Sequence, residues 1–383
     1  MIKGYYLPTK IYFASGIISN LSEILDCPGK PIGLFIDIYI SESGLLEKIK
    51  NYLSASDIRF IDEVKSIPSI VQVEKATAMA LNSGVVLIIA IGGGSTLDLA
   101  KSVAMLSQNP WALIDFLQKK RIFINQGIPC VAIPTTSGTG SEVTPYATIW
   151  GEDKTKYSLN SSLMFPSWAI CDPEITLSLP ALVTASTGID ALCQAVEAYW
   201  SIHSFPLSDI HAIRAITLVL ENLEKAVQEP CNLLYREKMM LAALEAGRAF
   251  SQTATTAVHS VSYPITAYFG IPHGYACALT LSSFLKYNYE VTVQDCNDDR
   301  GSEFVRKRIK DIVRILGCDT VDDACFKLNN LMKSIGMETS LAKAGIVDIE
   351  TIVEHGFAPD RVANNPRLVT RENLRKLLEN ITL

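Results

Sequence analysis

The chain has 383 residues, 48% hydrophobic and 19% charged, with a net charge of −6. That length and apolar content suffice for large cores in about two domains, and the negative balance argues against a nucleic-acid or anionic-membrane partner. Nine cysteines, an odd number at irregular spacing with no CxxC pair, argue against a disulfide framework and read as reduced thiols.

The opening MIKGYYLPTKIYF has no apolar signal-peptide core. The longest apolar run, Gly84–Ile91, is too short to span a bilayer, so a cytoplasmic location is expected. Along the chain, Pro31–Ile38 (PIGLFIDI) reads as a strand and Val71–Ser83 as an amphipathic helix. The strand VVLIIAI, residues 85–91, follows; then come a helix from Ser95 and a strand over Pro129–Pro134. Continuous apolar strands separated by helices predict a parallel sheet covered on both faces. After about Leu179 the pattern changes. Pro180 breaks the chain, and Thr187–Trp200, Ile210–Val227, Leu233–Ser251 and Ser302–Leu316 carry helical patterns with no strand of comparable quality. The expected organisation is an α/β domain over residues 1–179 and an all-helical domain over residues 180–383, with a ligand site in the cleft between them.

Two loops stand out in the first half. Ile91 ends an apolar strand and the chain continues GGGSTLDLAK, Gly92–Lys101. Glycines at a strand-to-helix junction let backbone approach a phosphate, which the N–H groups and positive dipole end of the helix then hold; a tight turn would use the same triplet. The second loop, PTTSGTGSEVT over Pro134–Thr144, also follows a strand and is rich in hydroxyls and glycine. Two such loops at the ends of parallel strands point to a nucleotide, although the GxGxxG fingerprint is absent. The cofactor-binding candidates are Gly93, Gly94, Ser95, Asp98, Thr135, Thr136, Ser137 and Thr139, with Lys156 farther on. Asp37, ending an earlier strand, suits an adenine ribose and would repel a 2′-phosphate, favouring NAD over NADP; a turn cap is its competing role.

Of only five histidines, two stand fourteen residues apart in HSVSYPITAYFGIPHG: His259 and His273. Asp190 and Gln194, in STGIDALCQAVEAYW, lie four residues apart and so project from one helix face. Convergence of both histidines on that face would join one carboxylate, two imidazoles and a weak amide oxygen, a set suited to Fe(II) or Zn(II) rather than magnesium or calcium. The alternative is a pair of buried histidines satisfied by hydrogen bonds.

In their order and over nearly the whole chain, GGGSTLDLAK, PTTSGTGSEVT, STGIDALCQAVEAYW and the H-x3-YP…PHG stretch resemble the iron-containing alcohol dehydrogenase family. The resemblance implies a nucleotide-binding α/β domain with a parallel sheet, followed by an all-α metal- and substrate-binding domain, the architecture shared with dehydroquinate synthase. It implies NAD and a divalent metal held by Asp190, His259 and His273, with position 194 as the fourth ligand. Two departures follow from it: Gln194 stands where the family has a ligating histidine, and Tyr263 where it has a non-ligating one. HSVSYPITAYFGIPHGYACALTL and KYSLNSSL look most like the branch that reduces phosphonoacetaldehyde to 2-hydroxyethylphosphonate. An anionic phosphonate needs basic and hydroxyl partners, and Arg361, Arg367, Lys156, Asn160, Ser162 and Tyr263 are the candidates. Surface pairing or packing is the competing role for the two arginines.

The implied reaction is hydride transfer to an aldehyde polarised by the metal, with Tyr263 as proton donor or orienting group. His259 and His273 are catalytic through the metal. Competing readings on the same architecture are an alcohol, butanol or lactaldehyde dehydrogenase, a maleylacetate-reductase-like enzyme, a lyase using NAD transiently, or a nucleotide binder without turnover. The expected partners are a small-molecule substrate and a second copy of the chain, a dimer being favoured.

Overall fold

Strand formation in the first half follows the apolar runs, and pairing follows their order. The computed structural model describes residues 4–42, 44–64, 67–152 and 155–382. Among these, the strands are β1 (Lys10–Phe13), β2 (Pro31–Asp37), β3 (Asp57–Val64), β4 (Leu87–Gly92), β5 (Cys130–Pro134), β6 (Tyr146–Trp150), β7 (Lys156–Asn160) and β8 (Trp168–Cys171). Six of them form one parallel sheet in the order β1-β8-β5-β4-β2-β3, while β6 and β7 pair as an antiparallel hairpin.

The lack of apolar–polar alternation in the central strands has a direct cause. Leu87, Ile89 and Ile91 of β4 join Ile32, Leu34 and Ile36 of β2 in one core. Ile88 and Ala90 face the opposite way, with Phe35, onto Val73, Ala76 and Ala80 of the Ile70–Ser83 helix and Leu97, Ala100 and Val103 of the Gly94–Leu106 helix. Both faces are covered, so both residue parities are apolar. The Ile70–Ser83 helix begins where Ser69 Oγ accepts from Gln72 N at 3.2 Å, and stops at Gly84, whose φ is 62°.

Strand order reverses beside β4. From β2 the chain moves outward to β3, returns to β4 on the other side of β2, and proceeds to β5. In such a sheet ligands bind at the carboxyl ends of the strands that flank the reversal. Here those ends are Asp37 and Gly92, one residue beyond the paired Ile36 and Ile91.

The chain separates into two units, Leu7–Leu177 and Met1–Tyr6 with Ser178–Leu383. Tyr6 belongs with the second because its N–H donates to Gln252 Oε1 at 3.0 Å and its carbonyl accepts from Gln252 Nε2 at 2.9 Å. This second unit is helical: Ala181–Trp200, Pro206–Gln228, Leu233–Thr253, Ala257–Phe269, His273–Tyr289, Ser302–Ile315 and Val321–Ser334, followed by shorter segments. The Ala181–Trp200 helix is its axis, packed by the Pro206–Gln228, Leu233–Thr253 and His273–Tyr289 helices. From Thr184 to Trp200 every residue but Thr187 is buried. A helix surrounded on all sides is apolar on all sides, so its buried polar residues Asp190, Gln194 and Glu197 are the informative exceptions.

The helix starts at Ala181 rather than at Thr187 because Pro180 takes the N-cap position, where a missing N–H costs nothing. Strand β3 goes unread in the sequence because Asp57, Arg59, Asp62 and Glu63 interrupt its apolar pattern at a sheet edge. β1 and β8 are only four residues long. All nine cysteines are free. No helix among the described residues is long and apolar enough to cross a membrane.

Candidate functional site

In the first unit, the end of β4 and the start of the Gly94–Leu106 helix meet at Gly93, an extended N-cap position where no side chain caps the helix. Its first-turn N–H groups and dipole therefore remain available to an anion. Thr135 N donates to Gly92 O at 3.0 Å, joining the second loop to the first. A Cβ on Gly94 would stand 2.7 Å from Thr139 Cγ2, so the absence of a side chain is what lets the two loops interlock. Thr136 lies against Gly93, and Ser95 opens the helix half-buried.

Asp98 accepts from Ser141 Oγ at 2.5 Å and from Thr148 N at 2.8 Å, and lies 3.4 Å from Lys101 Nζ. It clamps the helix to the second loop and to β6. Ser137 Oγ, by contrast, is buried without a hydrogen-bond partner among the described residues. Burial raises the Glu142 pKa to about 7 and lowers that of the neighbouring Lys101. Lys101 Nζ donates to Ser141 O at 3.0 Å and to the Tyr146 carbonyl. Asp37 Oδ1 accepts from Tyr39 N at 3.0 Å, so it caps a turn at the carboxyl end of β2; burial raises its pKa. Lys156 begins β7, and Asn160 and Ser162 are exposed at the other end of that hairpin.

In the second unit, three helices bring a polar cluster into an apolar interior. Asp190 and Gln194 come from the Ala181–Trp200 helix, His259 from the third residue of the Ala257–Phe269 helix, and His273 from the start of the His273–Tyr289 helix. The donor atoms of Asp190, His259, His273 and Cys277 all lie within 4.8 Å of one another. Cys277, one turn beyond His273, was not among the sequence candidates.

The imidazoles are oriented by partners the sequence reading also missed. Glu197, fully buried, accepts from Thr256 N at 2.9 Å, from Thr256 Oγ1 at 2.7 Å and from His259 Nδ1. This turns His259 Nε2 inward, 3.4 Å from Asp190 Oδ1. Ser262 Oγ donates its single proton to His259 O at 2.7 Å, so the 3.4 Å contact with His273 Nδ1 makes that nitrogen the donor. His273 Nε2 is then the lone-pair nitrogen, 4.0 Å from Cys277 Sγ. A histidine whose Nδ1–H is held by an oxygen while Nε2 faces a shared point is the arrangement of a metal ligand. Burial opposes charge on His259, but Cys277, Glu197 and the Asp190 hydrogen bond raise its pKa well above the usual value.

Gln194 Nε2 donates to Asp190 Oδ2 at 2.9 Å, and its Oε1 is buried without a hydrogen-bond partner among the described residues. The donor set and this orphaned oxygen fit a divalent cation. Spacing carried a signal for the missed residues: Glu197 follows Asp190 by seven positions and Cys277 follows His273 by four, each on its partner's helix face.

Gly274 explains the Pro-His-Gly turn. A Cβ there would stand 1.9 Å from Ser186 O and 2.7 Å from Asp190 Cβ. Only glycine lets the His273 helix approach the axial helix this closely. The Tyr263 ring lies 6.2 Å from that of His273, and its hydroxyl accepts from Arg361 Nε at 3.2 Å. The segment carrying Arg361 is tied down by Ala358 N to Ser260 Oγ at 2.7 Å and by Asn364 Nδ2 to Thr255 O at 3.0 Å. Arg367 is committed elsewhere, to Asp295 Oδ2 and Tyr287 O, both at 2.7 Å, and over the Tyr287 ring.

Residues 8–173 match the family model for iron-containing alcohol dehydrogenase, and residues 184–382 match that for the C-terminal part of the Fe-containing alcohol dehydrogenase family. A phosphonoacetaldehyde reductase of Streptomyces viridochromogenes is 34% identical over 76% of this chain and 74% of its own length. A 1-propanol dehydrogenase of Salmonella typhimurium is 32% identical over 98% of this chain and 99% of its own. The crystal structure of sulfoacetaldehyde reductase from Bifidobacterium kashiwanohense in complex with NAD+ superposes with a TM-score of 0.87 at 30% identity, covering 100% of this chain and 99% of that one.

Proposed function

The chain belongs to the iron-containing alcohol dehydrogenase family, and from that premise we propose that it reduces a short aldehyde carrying an anionic group, phosphonoacetaldehyde first, to the alcohol with NADH. The observation that carries this reading is the Arg361–Tyr263 hydrogen bond beside His273. A guanidinium anchored next to the metal-ligand cluster provides charge-assisted hydrogen bonds for a phosphonate or sulfonate. Arg361 holds the anion, and Tyr263 orients the aldehyde oxygen and donates its proton.

Asp190, His259 and His273 would hold the divalent metal, iron or zinc, and Glu197 and Ser262 fix the two imidazole tautomers. The bound cation supplies Lewis-acid polarisation of a carbonyl. NADH bound in the first unit would supply the hydride to the carbonyl carbon. In the first unit, the uncapped helix start at Gly93 and the orphaned Ser137 hydroxyl hold the diphosphate, and Asp37 takes the adenine ribose. The structural relative solved with NAD+ supports the cofactor assignment.

The test is side-by-side turnover of phosphonoacetaldehyde, sulfoacetaldehyde and propanal by wild type and Arg361→Ala. The expected result is a higher kcat/KM for the anionic aldehydes, with the variant raising their KM about tenfold or more and leaving propanal unchanged. Preference for propanal in wild type, with no selective effect of the variant, overturns the anionic-substrate reading in favour of a propanol-dehydrogenase-like one.

A further inference from the structure

Four side chains, not three, point donor atoms at the buried centre. We infer that Cys277 is a direct metal ligand, making the site an Asp–His–His–Cys set built for zinc rather than for iron; this rests on the metal reading above.

The helix that starts at His273 carries Cys277 four residues later, so both project from one face and share one neighbourhood. Sγ is fully buried and lies within 4.8 Å of each of the Asp190, His259 and His273 donor atoms. Four donors at zinc bond lengths stand about 3.3–3.8 Å apart; the observed set, within 4.8 Å, closes to this by a contraction of about 1.5 Å at most.

Gln194 does not compete for the position. Its Nε2 is spent on Asp190 Oδ2, which orients the carboxylate, and its Oε1 is a neutral amide oxygen, a weak donor beside a thiolate. That orphaned, 3% exposed residue is an independent sign that the cluster awaits a ligand. The chemistry of the set then selects the metal. Sulfur and imidazole together suit zinc, which takes four protein donors from three helices and can expand to five-coordinate when a carbonyl oxygen binds. A site of two histidines and one carboxylate with open positions would suit Fe(II).

The test replaces the native metal with Co(II), whose spectrum reports its ligands without turnover. Metal-free full-length protein is titrated with Co(II) as wild type, Cys277→Ser and Cys193→Ser, the last because Cys193 is also buried near the cluster. Wild type is expected to bind one equivalent with a near-ultraviolet thiolate-to-cobalt band. Cys277→Ser should lose that band while keeping visible cobalt bands, and Cys193→Ser should retain it. In chelator competition, Cys277→Ser should weaken zinc more than tenfold and Fe(II) far less. Stoichiometric cobalt with no thiolate band in wild type overturns the inference and leaves the Asp190–His259–His273 site standing. A band that survives in Cys277→Ser overturns it likewise. No cobalt bound at all overturns both.

Discussion

The two binding regions are built from opposite materials. At the junction of β4 with the Gly94–Leu106 helix the working groups are backbone: uncapped N–H groups, and glycines that admit a neighbouring loop. In the helical unit the proposed working groups are side chains, Asp190, His259, His273 and Cys277, drawn from three helices, with the two imidazoles oriented by Glu197 and Ser262. A backbone site is local and tolerates substitution of most side chains around it. A side-chain site depends on packing at a distance and is sensitive to any residue that sets how closely the helices approach.

Gly274 should break this contrast most severely. Gly274→Ala places a methyl against Ser186 O and Asp190 Cβ, forcing the His273 helix outward. It is expected to cost about 1–3 kcal/mol or more and most of the bound metal, read by denaturant melts and elemental analysis, with NADH affinity in the first unit unchanged. Retained metal at wild-type stability would mean that the helix approach is not what sets the cluster. Glu197→Gln is the next largest. The fold should survive, since the amide still accepts from Thr256, but metal affinity should fall about 10–100-fold; an unaltered zinc dissociation constant would remove Glu197 from the site.

Gly94→Ala probes the other region. Its Cβ would meet Thr139 Cγ2 at 2.7 Å, so NADH affinity measured by fluorescence should fall about tenfold while metal content stays at the wild-type level. Loss of both together would show that the two sites are not independent. The last prediction is a pH dependence confined to the first unit. Glu142 has a folded pKa of about 7 against an ordinary 4.5, so the native state prefers its protonated form. Stability from this group is fully present below pH 4.5 and is lost as pH rises to 7. Glu142→Gln, neutral throughout, should gain on wild type across that window by about 3 kcal/mol at most; parallel stability profiles would contradict the raised pKa.

The sequence by itself carried the local features. Gly92–Lys101 and Pro134–Thr144 are legible because a strand, its glycines and the following helix are contiguous. The 3.6-residue period placed Asp190 and Gln194 on one face, and the same period reaches Glu197 and Cys277. What it did not carry was how those faces meet. Gln194 shared the right face, yet the structure spends its amide on Asp190; Cys277 looked like one more buried thiol, yet it lies beside His273 Nε2. Asp98, in the glycine-loop motif, proved to be a clamp on Ser141 and Thr148, and Arg367 a tie to Asp295 and Tyr287. Periodicity fixes the direction of a side chain relative to its own helix. Which neighbour it meets depends on interhelical approach, and here that approach is decided at single points such as Gly274, where the tertiary structure leaves no room for a Cβ.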